Sequence, residues 1–274
     1  MRSIVIIAIL VCFPLWGQVR IKTDTLNRLD TNLVFVKKIE THLDVLESDY
    51  LGNFYLIDKD VITKLSPKLD TMFEQSFKIA GDLTSMDVGQ SMKILLYSRD
   101  QNLIAYLDNT LTMSEAETSL ADKGMYMVEL VTLSMLNNNL WVYNAENFAL
   151  EKYDHNFNRV FKTENLSMLL YQELRPTALL ESEDQLYLNN PDHGVLVFDV
   201  YGTFLKTIPI KGVEEIHVLD KKVYYIQEDH IHYYDEKTLN TDKFKLPVSG
   251  IHYFCISNEY LVLYDGKFVH FYKY

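Results

Sequence analysis

The stretch Gln185–Ile208, QLYLNNPDHGVLVFDVYGTFLKTI, contains three short apolar runs separated by two turns. β-branched and aromatic residues dominate the runs Leu186–Leu188, Val195–Phe198 and Thr203–Ile208, as is typical of strands. The segments between them, NNPDHG (189–194) and DVYG (199–202), are rich in residues that favour chain reversal. The stretch therefore predicts three antiparallel strands, a unit too small to bury its own apolar face.

Similar units recur along the chain at intervals of 37 to 46 residues. Their central strands begin at Asn53 (NFYLID), Lys93 (KILLYS), Asn139 (NLWVYN), Gln185 (QLYLNN), Lys222 (KVYYIQ) and Tyr260 (YLVLYD). The strand after each central strand runs directly into an aspartate in four units: Asp108, Asp154, Asp199 and Asp235. A period near forty residues with up to four short strands is the signature of a β-propeller. We predict an all-β fold over residues 33–274: one six-bladed β-propeller of four-stranded blades.

The two ends of the chain predict how the ring closes. The sixth unit stops one strand short of a full blade, whereas the strand-like run Leu33–Ile39 precedes the first blade. If this run becomes the outer strand of the last blade, beside Phe268–Tyr272, no long sheet edge stays unpaired. The alternative is an open solenoid, which would need polar caps at both ends.

Two units carry the sharpest family resemblance. DYLGNFYLID (49–58) and VLVFDVYG (195–202) resemble the two halves of the repeat in NHL- and YVTN-type propellers. The other units have the same spacing of strands but lack the glycines. The resemblance implies the propeller fold over residues 40–274 and leaves the function open, since such folds host both binding modules and enzymes.

Two longer intervals between units predict short helices on neighbouring blades. In residues 112–124, Ser114 and Glu117 fit a capping box, with Gly124 as the stop. In residues 163–175, leucines recur at helical spacing and Pro176 ends the pattern. These leucines either pack on the ring or form a raised lip that meets a partner: Leu166, Leu169, Leu170 and Leu174.

The N-terminus and the charge balance predict export. Residues 1–17 combine Arg2 with the apolar run Ile4–Val11 and are typical of a signal peptide, followed by a polar leader at 18–32. Lipidation at Cys12 is the alternative. Removal of residues 1–17 leaves 25 basic against 38 acidic residues and Cys255 as the single cysteine. That excludes an internal disulfide and disfavours nucleic-acid binding. We expect a bacterial protein that is exported to the periplasm or the cell surface and does not span the membrane. Asp24-Thr25-Leu26 resembles the O-glycosylation triplet of Bacteroidota.

The sequence contains no phosphate-binding loop, zinc-protease motif, Cys-x-x-Cys pair or nucleophile elbow. Charged residues near the starts of the inner strands are the candidates for a ligand site at the channel mouth: Asp44, Asp87, Glu129, Arg175, Glu214, His217 and His252. The first three occupy similar places in blades one to three, where converging carboxylates could hold a hard cation. Solvated acids on the rim are the simpler interpretation, so we assign no catalytic residue, metal or cofactor.

Histidines and aromatic residues give weaker signals. His217 and His252 could join the acids in a transition-metal site, and His230 and His232 share one strand face. The aromatic residues within strands are expected in the cores between blades; if some are exposed, Trp141 and Tyr143 are the candidates for stacking on a sugar. Because no nucleophile and base converge, we expect a non-catalytic binding or scaffold propeller that engages an envelope protein. The alternatives are a glycan- or peptide-binding module and a metal-dependent hydrolase or lyase with a channel site.

Overall fold

The computed structural model describes residues 33–77, 82–171 and 173–274. It contains six antiparallel sheets of four strands each, which confirms the predicted six-bladed propeller. Blade 1 comprises β2 (Val45–Ser48), β3 (Phe54–Asp58), β4 (Val61–Leu65) and β5 (Thr71–Ser76). Blade 2 comprises β6 (Ser85–Asp87), β7 (Ile94–Ser98), β8 (Leu103–Leu107) and β9 (Thr118–Ser119). Blade 3 comprises β10 (Val128–Leu133), β11 (Leu140–Asn144), β12 (Ala149–Tyr153) and β13 (Arg159–Lys162). Blade 4 comprises β14 (Ala178–Ser182), β15 (Gln185–Asn190), β16 (Gly194–Asp199) and β17 (Phe204–Ile208). Blade 5 comprises β18 (His217–Leu219), β19 (Lys222–Gln227), β20 (His230–Asp235) and β21 (Asn240–Lys245).

Blade 6 joins the two ends of the described chain, as predicted. It contains β22 (Tyr253–Ile256), β23 (Tyr260–Tyr264), β24 (Phe268–Lys273) and, outermost, β1 (Val34–Glu40). β1 runs antiparallel to β24, from Val34 opposite Lys273 to Glu40 opposite Phe268. The strand predicted at Leu33–Ile39 therefore closes the ring and protects the edge of β24, which would otherwise invite pairing with another chain.

The apolar core is divided into six clusters, each between two adjacent blades. One cluster packs Phe54 of blade 1 against Phe271 of blade 6, with ring centroids 5.5 Å apart. Another packs Trp141 of blade 3 near Leu196 and Phe198 of blade 4. No blade therefore has a core of its own, which explains why the repeat is stable only as a closed ring.

The aspartates that end the third strands stabilise the turns that follow them. In blade 4 the Asp199 carboxylate accepts the backbone N–H groups of Tyr201 and Thr203 at 2.9 and 2.8 Å. Asp108 and Asp154 accept the equivalent pairs of N–H groups in blades 2 and 3. The recurring aspartate is therefore a turn-forming residue.

Glycine is required at Gly202, which ends the turn of blade 4. Its φ is +90°, and a Cβ there would collide with the ring of Phe161 in blade 3. The turn thus packs against the neighbouring blade at a distance that only glycine allows.

One of the two predicted helical insertions is present. Helix α1 (Leu166–Leu170) begins after Asn165, whose side chain accepts the Met168 N–H at 2.9 Å, and it ends at Tyr171. The helix predicted in residues 112–124 was wrong apart from a 3₁₀ turn at Ala121–Lys123, which Gly124 ends as predicted. Here Ser114 bonds to the Tyr106 carbonyl oxygen through both its N–H and its hydroxyl, because the segment supplies the outer edge of blade 2.

The predicted signal peptide (1–17) and polar leader (18–32) lie outside the described residues. Within the described part of the chain, no helix has the length and apolar character needed to cross a membrane.

Each blade has two kinds of ends, which define two faces of the disc. The upper face carries the connections between blades and the turns between second and third strands. The lower face carries the turns between first and second and between third and fourth strands.

Candidate functional site

The first strand of every blade lines a central channel. β2, β6, β10, β14, β18 and β22 surround a cavity of about 860 Å³. Its lining includes Asp44 and His252 towards the upper face and Asp49 and Asp220 towards the lower face. This volume lies in the range of roughly 300–1,000 Å³ that is usual for small-molecule sites.

The channel lining is strongly acidic. Among the described residues it includes nine carboxylates, two histidines and no lysine or arginine. The carboxylates are Asp44, Glu47, Asp49, Asp87, Glu181, Glu183, Glu214, Glu215 and Asp220, and the histidines are His217 and His252. A cleft with one sign of charge and low-dielectric walls concentrates counter-ions of the opposite sign. The channel therefore favours cationic over anionic ligands.

Strand register sorts the lining into two tiers. Central-strand residues are counted here from the starts given by the sequence: Asn53, Lys93, Asn139, Gln185, Lys222 and Tyr260. In the upper tier the backbone N–H of a residue just before the inner strand donates to the carbonyl of the fifth residue of the central strand. This bond recurs at Asp44, Thr84, Thr177 and His252, with lengths of 2.8 to 3.0 Å. In the deep tier, three residues further on, each residue lies opposite the third residue of the central strand: Glu47, Asp87, Thr132, Leu180 and His217, with the buried Cys255 at the same register in blade 6.

This register corrects the placement of the predicted residues. Asp87 is not equivalent to Asp44, because it lies in the deep tier opposite Leu95. His217 and His252 also differ by one tier. The predicted positions were wrong because inner strands of three to six residues contain no sequence feature that fixes which residue lies opposite which residue of the central strand.

Five of the seven predicted residues line the channel: Asp44, Asp87, Glu214, His217 and His252. The other two lie outside the lining as the described residues define it. Glu129 contacts Arg99, with 3.2 Å between Oε2 and Nη1. The exposed Arg175 donates to Glu173 at 2.7 Å. Each therefore belongs to a surface ion pair.

Asp87 connects blades 2 and 3. Its Oδ2 accepts the Thr132 hydroxyl at 2.5 Å and the Leu133 N–H at 2.7 Å, and its Oδ1 accepts the Gly89 N–H at 2.8 Å. Hydrogen bonds to an ionised acceptor are stronger than neutral ones. Three donors therefore hold the Asp87 side chain in one position in the channel wall.

Glu47 is the deep-tier residue that the sequence analysis missed. No hydrogen bond joins its carboxylate to another described residue, and its accessible surface faces the channel. Burial raises its pKa to about 7; the His217 charge opposes this shift, and the charges of Glu215 and Asp87 add to it. Near neutral pH the site therefore exchanges a proton readily.

His217 is held between a carboxylate and a backbone carbonyl. Its Nε2 lies 3.2 Å from Glu215 Oε1, and its ring packs edge-on against Phe254 with centroids 4.6 Å apart. Burial alone would lower the pKa of His217. The hydrogen bond and charge of Glu215, the charge of Glu47 and the Phe254 carbonyl together raise that pKa above its usual value. This environment favours the imidazolium form.

A compact group of metal-ligating side chains lies on the upper rim of blade 1. His42 Nδ1 is 3.1 Å from Asp58 Oδ1 and 3.8 Å from Asp44 Oδ1. Within the described ranges, it is the one set of three such residues whose ligand atoms lie within 4.8 Å of one another. The predicted combination of Asp44, Asp87 and Glu129 does not meet in this way, nor do His217 and His252 with them.

The remaining predicted chemical groups have structural surroundings. His230 contacts Asp229 at 2.6 Å, whereas His232 stacks on Tyr225, and the two imidazole rings lie edge to face with centroids 6.2 Å apart. Cys255 is fully buried, and burial raises the pKa of its thiol. It is a small core residue, as its apolar sequence context predicts.

The sugar-stacking alternative for two aromatic residues is wrong, and the expected core position is confirmed. Trp141 and Tyr143 are buried in the core between blades 3 and 4. The Trp141 indole N–H donates to Glu181 at 2.8 Å. Their rings therefore offer no surface for stacking on a sugar, because the strand face chosen for them points into the core.

The four predicted partner-binding leucines divide into two kinds. Leu166 and Leu174 are buried in the core between blades 3 and 4, and Leu170 packs partly against it. Leu169 is exposed. Leu166 and Leu174 are therefore anchors for α1, and only Leu169 is freely available to a partner.

Exposed apolar side chains flank the upper turn of blade 3 on both sides. We call this set the upper apolar surface: Tyr126, Met127, Met168, Leu169 and Tyr171, with Met168 75% and Tyr171 95% exposed. The Met127 carbonyl accepts the Ala145 N–H, and the Phe148 carbonyl accepts the Leu166 N–H, both at 2.8 Å. These bonds tie both connections to the same turn, residues 145–148. The five residues therefore lie around one point of the upper face.

A second exposed apolar set lies on the opposite face. These residues are in the turns between first and second strands of blades 1 to 3: Tyr50, Leu51, Met92, Met135 and Leu136. We call them the lower apolar turns. They are spread over three blades, whereas the upper apolar surface surrounds a single turn.

Solved structures of several unrelated functions share this fold. A Bacteroides fragilis protein described as an exported protein matches with a TM-score of 0.62 and 12% identity, covering 88% of this chain and 94% of that one. Virginiamycin B lyase from Staphylococcus aureus matches with a TM-score of 0.56 and 13% identity over 84% and 79%. BamB from Moraxella catarrhalis matches with a TM-score of 0.54 and 9% identity over 89% and 100%.

Similarity at the level of sequence is weaker. No family model matches this sequence, and no curated protein is similar enough to be matched. At 9 to 13% identity the structural likenesses concern the fold alone. The chain is a six-bladed β-propeller, similar in shape to a lyase and to an exported Bacteroides protein.

Proposed function

We propose that this propeller is a non-catalytic binding protein of the bacterial cell envelope and that it engages a protein partner through its upper face. The observation that carries the proposal is the upper apolar surface. Met and aromatic side chains are enriched at protein interfaces, and Met168, Leu169 and Tyr171 stand exposed on a helix whose other side is anchored in the core. A preformed surface of this kind binds with little ordering cost.

The backbone at Tyr171 supports a role for this surface. Tyr171 has a φ of +53° at the end of α1, a conformation that glycine or asparagine usually adopts. Its side chain is almost fully exposed, so packing does not account for a bulky residue there. A strained position that presents an aromatic ring to solvent is typical of a functional contact.

The envelope location rests on the sequence. It is supported by the signal-peptide pattern of residues 1–17 and by a mature chain with one cysteine. The fold likeness to a Bacteroides fragilis protein described as exported agrees with it. Membership of the NHL and YVTN repeat class is part of this proposal, on the strength of residues 49–58 and 195–202.

The two alternatives have less support. A channel-metal hydrolase or lyase has the fold likeness to virginiamycin B lyase in its favour, but the predicted channel residues do not converge on one point. A glycan-binding module loses Trp141 and Tyr143 to the core. Tyr50, exposed beside the lower channel mouth, remains available to a glycan or peptide.

Affinity purification from the native envelope, with mass spectrometry, tests the proposal. The upper variant combines Met168→Ser, Leu169→Ser and Tyr171→Ser, and the matched control combines Leu51→Ser and Met92→Ser in the lower apolar turns. We expect a specific protein to be recovered with the wild type and the control and lost with the upper variant. Recovery that is unchanged in the upper variant, or lost only in the control, would overturn the proposal. Circular dichroism verifies that both variants fold.

A further inference from the structure

The deep tier of the channel carries more carboxylates than basic groups. Glu47 has no hydrogen-bond partner among the described residues, and the channel lining they form lacks lysine and arginine. His217 is the one basic side chain of the deep tier, and the charges of Glu215 and Asp87 both oppose an ionised Glu47. An acid with no hydrogen-bond partner among like charges is costly to bury, so a bound cation would relieve both the repulsion and the missing contacts.

We infer that the channel binds an organic ammonium group on an extended aliphatic chain, the chemistry shared by a linear polyamine and a lysine side chain. The inference goes beyond the proposed function, because it concerns the channel and does not depend on the upper apolar surface. The ammonium group contacts Glu47 in the deep tier and Glu215 beside it. Asp44 and Glu214 line the same cavity towards its upper mouth and offer further carboxylates along an extended ligand.

The arrangement of the carboxylates distinguishes this ligand from a metal ion. A divalent cation needs several ligand atoms around one point. Among the described residues, three metal-ligating side chains come that close at His42, Asp44 and Asp58 on the rim and nowhere in the deep tier. An ammonium group with three rotatable N–H donors suits acceptors that come from separate strands.

Hydrogen bonding leaves Glu47 as the main free acceptor. Both oxygens of Asp87 already accept protein donors, and Glu215 Oε1 contacts His217. A compact ammonium group can take an oxygen of Glu47 together with the remaining oxygen of Glu215.

The affinity of the channel for a cation should depend on pH, because groups that line the binding site gain or lose protons. Four titratable groups face Glu47: His217, Glu215, Asp87 and Cys255. As the pH rises from 6 to 8, Glu47 loses its proton around its pKa of about 7. This change makes the channel more negative, so the cation binds more tightly at pH 8.

Isothermal titration calorimetry at about 150 mM salt, which screens weak surface attraction, provides the test. The probes are spermine, a hexalysine peptide and Mg²⁺ ions. We expect saturable binding of spermine or the peptide, whichever reflects the natural source, and weaker binding of Mg²⁺. Glu47→Gln should weaken binding about tenfold or more, whereas Glu74→Gln, on the exposed outer strand of the same blade, should leave it unchanged.

Three results would overturn the inference: no saturable binding of either organic cation, equal effects of Glu47→Gln and Glu74→Gln, or Mg²⁺ binding as tight as that of spermine. Glu215→Gln is a second variant that should also weaken binding. Because Glu47 holds no hydrogen bond to another described residue, Glu47→Gln is expected to fold, and circular dichroism checks this. Loss of partner capture in the upper variant would leave these results unchanged.

Discussion

The inner strands of blades 1 and 2 carry a carboxylate at the same register position, yet the two carboxylates have different surroundings. Glu47 lies opposite Tyr55, and Asp87 lies opposite Leu95, the third residues of their central strands. Asp87 accepts three hydrogen bonds. Glu47 accepts none from the described residues. Equivalent places in a repeat therefore do not imply equivalent roles.

The difference comes from the neighbouring blade on each side. The deep-tier residue that follows Asp87 around the ring is Thr132, whose hydroxyl donates to it. The residue that follows Glu47 is Asp87 itself, a carboxylate that repels it, and the one before is the buried Cys255. Stability is thus built into the contact of blades 2 and 3, and binding capacity is concentrated at Glu47.

Removing the Asp87 carboxylate should have the largest effect. Asp87→Ala leaves the Thr132 hydroxyl and two backbone N–H groups without their acceptor, and we expect a loss of about 4 kcal/mol in the free energy of unfolding. Urea titration followed by circular dichroism measures it. Glu214→Ala, at an exposed position of the upper rim, is the control and should cost less than about 0.5 kcal/mol. Similar losses in both variants would mean that Asp87 holds no special place.

Neutralising Glu47 should increase the free energy of unfolding, whereas removing the Asp87 carboxylate should decrease it. For Glu47 the folded-state pKa of about 7 lies above the ordinary value of 4.5, so between these pH values the folded protein binds more protons than the unfolded chain. Stability from this group therefore falls as the pH rises. We expect the free energy of unfolding of Glu47→Gln to exceed that of the wild type increasingly across this interval, by about 3 kcal/mol at pH 8.

Urea titrations of both proteins at pH 5 and pH 8 measure this difference. Glu74→Gln should parallel the wild type at both pH values. If Glu47→Gln is less stable than the wild type at pH 8, the carboxylate has a stabilising partner and the contrast with Asp87 fails.

The single donor from blade 3 should have a smaller effect. Thr132→Val removes the hydroxyl that donates to Asp87 and should cost about 1–2 kcal/mol, since the Leu133 N–H remains. In the Asp87→Ala background the same substitution should cost much less, because the acceptor is already gone. Such a double-mutant cycle isolates the contact between the two blades. Additive costs would show that Thr132 matters through packing alone.

The sequence was sufficient to predict the fold but not the register of the inner strands against the central strands. Central strands such as NFYLID and QLYLNN carry enough apolar and turn residues to fix their number, and the unmatched strand at Leu33–Ile39 indicated closure. Inner strands are short and border a wet channel, so their polar residues show no clear alternation. Glu47, within VLES, is an unremarkable acid until the register opposite Tyr55 is known.

A usable signal for Glu47 was nevertheless present. Counting from the third residue of a central strand back across its hairpin leads from Tyr55 to Glu47 and from Tyr224 to His217. The count changes with the length of the hairpin turn: it is eight residues in blades 1 and 2, nine in blade 3 and seven in blades 4 to 6. Tyr126 and Met127 were missed for another reason, because they lie just beyond the predicted segment 112–124 and become a surface only through the turn of blade 3.

The smallest expected effect concerns the charge next to Glu47. His217 should titrate above its ordinary pKa of 6.5, since Glu215 and Glu47 together outweigh the effect of burial. Histidine resonances followed by NMR across pH 5–9 measure this pKa directly. In Glu215→Gln the pKa of His217 should fall, because the variant loses both the hydrogen bond and the charge; Glu47→Gln should lower it less.

His232 provides the control for this titration. Burial and the nearby Lys243 and His230 lower its pKa, and it has no contact with the channel carboxylates. Its titration should therefore be the same in all three proteins. Stability contributed by the His217 charge is present below pH 6.5 and is lost as the pH rises through the raised pKa. A His217 that titrates below 6.5 would mean that the imidazole is neutral, and Glu47 would then lie next to no positive charge even in mildly acidic solution.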